Sequence, residues 1–139
     1  MAVFAGVAFT WLGMVLGISF LETPLKFRAP DVTLRIGLGI GRIVFRALNW
    51  VEMALAVVLT VAVVAADEVP ASVLVPGVVV LAVLVVQLAV IRPGLNRRSD
   101  RILAGEDAPR SRAHLGYVAT EVAKVAALVV SGVAALSAL

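Results

Sequence analysis

No cysteine occurs anywhere in the 139 residues, which removes disulfides, thiolate metal sites, iron–sulfur clusters and cysteine nucleophiles together. Histidine occurs once, as His114, so one chain has no bis-histidine haem ligation. A lone histidine also reads as a surface group, because metal sites need several convergent donors. No metal or cofactor is expected. Charge is scarce as well: 15% of the residues carry it, against 62% hydrophobic residues and a mean hydropathy of +1.08. A water-soluble domain could not cover that composition with polar surface, so the expected solvent is lipid. The HExxH, GxSxG, P-loop and Rossmann glycine patterns are all missing, and with them the common mechanisms of soluble enzymes. No polar stretch is long enough to found a second core, and one domain is expected over residues 1–139.

What is present is four long apolar segments, at about residues 3–21, 43–66, 72–91 and 115–138. At ~1.5 Å per residue, the nineteen residues of the first approach the ~30 Å thickness of a bilayer core. A cleaved signal peptide competes for this segment. No basic residue precedes it, however, and Glu22-Thr23-Pro24 is a poor cleavage site, so it is expected to be retained. Pro76 falls near the start of the third segment, where proline is best tolerated. Valine-rich runs such as Val78-Val79-Val80 lack the dyad alternation of a membrane barrel. The expectation is an all-α, integral membrane four-helix bundle.

The basic residues set its orientation. Lys26, Arg28, Arg35, Arg42 and Arg46 lie in or beside the first loop, and Arg92, Arg97, Arg98, Arg101, Arg110 and Arg112 lie in or beside the third. Eleven of the twelve basic residues therefore share one side, and the second loop offers only Asp67 and Glu68. The positive-inside rule puts loops one and three in the cytoplasm of a cell-membrane protein, with both termini outside. The net charge of +3 follows from this topology and does not point to nucleic acid. Pro24 and Pro30 bracket a basic stretch, and Asp31 is expected to cap a helix lying along the membrane surface. On that helix Arg35, Arg42 and Arg46 would meet anionic lipid headgroups, as would Lys26, Arg28, Arg92, Arg97 and Arg98, and Gly37, Gly39 and Gly41 would form the bend into the second span. The third loop, Asn96 to Ala113, is expected to be polar and mobile.

Polar residues inside the spans carry the most information, since a charge at a helix centre costs about 2.5–3.5 kcal/mol to insert. Asn49 and Glu52 share a face of the second span. His114, Tyr117, Glu121 and Lys124 follow 3-4-3 spacing on the fourth. With Gln87 on the third span, these residues reach one layer about 8–11 Å inside the cytoplasmic edge, and Ser19 and Glu22 come near it on the first. The expected cluster is Asn49, Glu52, Gln87, Glu121 and Lys124, approached from the surface through His114 and Tyr117. It reads either as structural glue between helices or as a proton or small-ligand site, in which one of two carboxylates facing one ammonium would take up and release a proton. On the first span Gly6, Thr10, Gly13 and Gly17 make a small-residue stripe read as a helix-packing surface. Trp11 and Trp50 are expected to pack internally.

Gly17-Ile-Ser-Phe-Leu-Glu-Thr-Pro-Leu-Lys-Phe27, Gly41-Arg-Ile-Val-Phe-Arg-Ala-Leu-Asn-Trp-Val-Glu52, Arg92-Pro-Gly-Leu-Asn96 and the His114–Lys124 stripe resemble the small four-helix membrane proteins of the transmembrane protein 205-like kind. The resemblance covers most of the chain and implies the fold and little chemistry. The Pro-Gly-Leu-Asn-Arg portion is also similar to a motif of the anthrone-oxygenase-like four-helix family, a likeness confined to that motif. Three functions stay open at this point. The favoured one is a non-enzymatic accessory or assembly subunit, followed by a small proton-coupled or small-molecule transporter, and then a membrane oxidoreductase acting on a lipophilic substrate. Four short helices enclose little space, so transport would call for a homodimer or a larger membrane complex, with the glycine stripe as its seam.

Overall fold

The computed structural model describes residues 1–109 and 112–139. Among them are four helices long and apolar enough to cross a membrane: α1 (Ala2–Lys26), α2 (Leu34–Val64), α3 (Ala71–Leu103) and α4 (Arg112–Ser137). They run alternately up and down. Met1, the Glu68–Pro70 turn and Ala138 border one hollow at one end, while Arg42 on α2 pairs with Asp100 on α3 at 2.6 Å at the other. The first and third loops thus share an end, as do the two termini. Arg110 lies outside the described residues.

The reason for this arrangement is a repeated stripe. Phe4, Ala8, Trp11 and Val15 on α1 recur at 4-3-4 spacing, as do Val73, Gly77, Val80, Leu84, Gln87 and Ile91 on α3 and Tyr117, Glu121, Lys124, Leu128, Ser131 and Ala135 on α4, and all are buried. That spacing keeps one seam of each helix toward its neighbours. On α4 the polar and apolar members form a single stripe. It is polar toward the basic end and apolar toward the termini, where Phe4, Val73, Val80, Leu128 and Ala135 make the core. Helix α4 packs along both α1 and α3; α2 leans on α1 and meets α3 mainly at the basic end. The outward faces are apolar, with Val57, Val61, Val64, Val75, Val85, Val90 and Val130 all exposed. Charge inside and valine outside is the reverse of a soluble bundle and is compatible with a lipid surround.

Several expectations about loops are corrected. Helix α1 does not stop before Pro24, nor α3 before Pro93. Each passes its proline after a π-helical stretch, Leu16–Glu22 in α1 and Gln87–Ile91 in α3. A proline ring collides with the carbonyl four residues back, and widening the preceding turn relieves that collision. Near Pro24 the Thr23 hydroxyl also donates to the Ile18 carbonyl at 2.9 Å. The third loop is therefore short, because α3 continues as helix to Leu103. A Schellman turn ends it: Gly105 has φ +90°, and Glu106 N–H donates to the Arg101 carbonyl and Gly105 N–H to the Ile102 carbonyl, both at 3.0 Å.

In the first loop the cap of α2 is Thr33, whose hydroxyl accepts from Ile36 N–H at 3.2 Å; Asp31 instead takes a left-handed turn at φ +63°. No surface helix bends at the glycines, and α2 is continuous. Gly37 and Gly41 are needed for a different reason. A Cβ on Gly37 would overlap the Phe27 ring, and one on Gly41 would come within 3.0 Å of the Lys26 ammonium, so the missing side chains let the end of α1 lie against α2.

Candidate functional site

Five side chains from all four helices meet in the interior. Lys124 on α4 donates to Oε1 of Glu52 on α2 at 2.5 Å and to Oε1 of Glu121, one turn back on its own helix, at 2.8 Å. Glu52 Oε1 also accepts from the Trp11 indole of α1 at 2.9 Å, and Glu121 Oε1 from the Gln87 amide of α3 at 2.7 Å. The second Gln87 contact is Thr120 Oγ1 at 3.0 Å, whose hydroxyl is anchored on the Gly116 and Tyr117 carbonyls. None of the five is more than 3% exposed. Helix spacing explains Glu121 and Lys124 sharing a face, and the π turn beginning at Gln87 helps set where its amide points.

Electrostatically the set is one ammonium between two carboxylates, a formal charge of −1, and Glu121 Oε2 is buried with no hydrogen-bond partner. Such groups are costly to insert singly. Together they are bound to one another, and removal of Lys124 leaves two carboxylates uncompensated.

A second layer sits outward of the first. Tyr117 shares a 2.9 Å hydrogen bond with Ser19 and meets Phe45 edge-on at 5.6 Å. The Arg92 guanidinium lies 4.2 Å from the centre of the Phe45 ring and 4.7 Å from that of Tyr117, one cation beside two nearly perpendicular rings. Lys26 adds a second cation, 5.6 Å from the Phe45 centre and 3.3 Å from Glu22.

Of the cluster read from the sequence, Glu52, Gln87, Glu121 and Lys124 come together. Asn49 does not join their hydrogen bonds; it is half-buried one turn outward on α2. Tyr117 is buried in the outer layer, and His114 is half-buried one turn beyond it. The contribution of α1 is also different: Trp11 reaches the inner layer, Ser19 stands in the outer one, and Glu22 lies near the end of the helix. Trp11 escapes a sequence reading because an indole counts as apolar, although its N–H demands an acceptor once buried. Trp50, expected inside, is 69% exposed on the lipid-facing side of α2. The glycine stripe also faces away: Gly6 and Gly13 are exposed, Gly17 is half-buried, and a Cβ on any of them would meet nothing within 4 Å. Packing inside the chain uses Ala5 and Ala8 on the opposite side of α1. The basic residues Arg28, Arg35, Arg46 and Arg97 are exposed, with Arg42 and Arg98 half-buried; Arg98 donates to the Pro109 carbonyl at 2.9 Å.

Among the described residues no group of three or more His, Cys, Asp or Glu is placed to hold a metal ion. No family model, no curated protein and no solved structure matches the chain, so what can be said of its function rests on its own residues.

Proposed function

We propose that the chain is a multi-pass protein of the cell membrane, with its basic end in the cytoplasm and both termini outside, and that it serves as a non-catalytic accessory or assembly subunit. The family it would join is the transmembrane protein 205-like one that its motifs resemble. The observation that carries the functional reading is the enclosure of Lys124: its ammonium is wholly buried and satisfied by carboxylates from two helices, with no face open to a substrate. Open surface hollows lie at the opposite end, bordered by Met1, Glu68 and Val69 and by Met1, Val57 and Val61. Interhelical polar contacts in membranes are worth only about 0.6 kcal/mol each on average, yet they dictate which helices pair. The network therefore works as a register lock. Purification from native membrane in mild detergent tests this reading. A stoichiometric protein partner is expected, and an isolated chain that carries solute on its own contradicts it.

One observation favours a second reading, a small proton-coupled carrier: the unpartnered Glu121 Oε2, at which the excess negative charge of the cluster could be neutralised by a proton. Proteoliposome flux that depends on a pH gradient and disappears in Glu121→Gln would establish it over the first.

A further inference from the structure

We infer that Arg92 and Lys26 form a site for the phosphodiester of an anionic lipid headgroup, set between α1, α2 and α3 at the basic end. The inference rests on the reading that this end lies at the level of the cytoplasmic headgroups.

Arg92 differs from the other basic residues named for that surface. Its guanidinium carbon lies over the Phe45 and Tyr117 rings at 4.2 and 4.7 Å, and its buried Nε–H meets no acceptor among the described residues. A guanidinium held by rings and not by a carboxylate keeps N–H groups for a bidentate oxyanion. Among the described residues no carboxylate pairs with Arg92: Asp100 is taken by Arg42 at 2.6 Å, Glu106 by Arg101 at 2.9 Å, and Glu22 by Lys26 at 3.3 Å. The spare oxygen of Glu121 belongs to the inner layer, one turn deeper than Tyr117 on α4.

Lys26 approaches the same ring from α1, its ammonium 5.6 Å from the Phe45 centre and its side chain only 8% exposed. Gly41 leaves room for it. Two cations from different helices thus converge on one aromatic residue, and Glu22, 3.3 Å from Lys26, offsets one of them. The remaining single positive charge matches a phosphodiester, which carries one negative charge, better than a phosphomonoester, which carries nearly two. Pockets of basic residues between transmembrane helices are a recurring way of holding such headgroups.

The experiment compares the full chain and its variants after extraction from vesicles of phosphatidylcholine and phosphatidylglycerol, with retained lipid counted by native mass spectrometry. One phosphatidylglycerol per chain is expected on the unmodified protein. Its occupancy should fall about tenfold or more in Arg92→Gln and stay unchanged in Arg101→Gln, an exposed basic residue at the same end. Arg92→Lys keeps the charge and loses the fork, and should retain the lipid less well than the unmodified chain, which covers the case of an Arg92→Gln protein that does not fold. Retention in Arg92→Gln equal to the unmodified chain, an equal loss in Arg101→Gln, or displacement of the lipid by millimolar inorganic phosphate would overturn the site. The orientation is read separately, by labelling a Ser99→Cys chain from either side of the vesicle. Ser99 on the outer side would reject the cytoplasmic placement while leaving the lipid count interpretable.

Discussion

The ammonium of Lys124 lies 2.5 Å from Oε1 of Glu52, 72 positions earlier in the chain and on a helix that α4 otherwise scarcely touches. This long side-chain bridge and the Phe45–Tyr117 ring contact take the place of close backbone packing between α2 and α4. Helix α2 is also the least buried of the four, so an interior ion pair is a large part of what ties it to α4.

Replacing Lys124 with methionine keeps the volume and removes the charge. Two carboxylates are then left facing each other in a dry interior, and the fold should lose about 3–5 kcal/mol, the usual cost of orphaning a buried ion. Unfolding in mixed micelles measures this. Neutralising all three groups at once, Glu52→Gln, Glu121→Gln and Lys124→Met, should recover much of the loss, because no uncompensated charge remains.

The indole of Trp11 supplies one of the two hydrogen bonds to Glu52 Oε1, while Trp50 faces outward. Trp11→Phe should cost at least about 1–2 kcal/mol, since it removes a donor to a charged acceptor and leaves part of the indole's buried space empty. Brominated lipid should quench the fluorescence of a chain that keeps only Trp50 and leave a chain that keeps only Trp11 nearly unquenched. Equal quenching of both would contradict the burial pattern.

Much of the inner layer is legible in the sequence, for a physical reason. A carboxylate or an ammonium has nowhere to go in lipid except toward another, so Glu52, Glu121, Lys124 and the amide of Gln87 announce their convergence by type and spacing alone. Trp11 and Phe45 do not announce theirs, because an aromatic side chain is at home on either face of a membrane helix. Asn49 shows the opposite failure: a polar group half-buried near the basic end does not need the cluster. Pro24 and Pro93 read as helix ends in a soluble protein, and only the π turns before them reveal that the helices continue. The cap of α2 lies two residues beyond Asp31, since Asp31 and Thr33 are both good capping types and local backbone geometry decides between them.

Glycine positions separate close approach from open surface. Gly37→Ala should destabilise the fold by about 1–3 kcal/mol, because the new methyl meets the Phe27 ring and α1 must move away from α2. Gly13→Ala should not destabilise the single chain and should stabilise it by up to about 1 kcal/mol, since nothing stands near that carbon and alanine is the better helix former. Measuring both variants in the same micelle removes the effect of helix propensity, which is similar at the two sites.

The chain has no cysteine of its own, so single introduced thiols report topology without background. Ser99→Cys near the basic end of α3 and Ser72→Cys near its other end should label from opposite sides of the membrane, Ser99→Cys from the cytoplasm. Labelling of both from one side would contradict a spanning α3.

The measurement that reaches the central claim most directly is a double-mutant cycle between Glu52 and Lys124, built from Glu52→Gln, Lys124→Met and the pair, with unfolding free energy as the readout. The account predicts a coupling of at least about 1 kcal/mol, with the double variant more stable than Lys124→Met alone. Additive losses, with no coupling between the two positions, would show that α2 and α4 are not joined through this bridge.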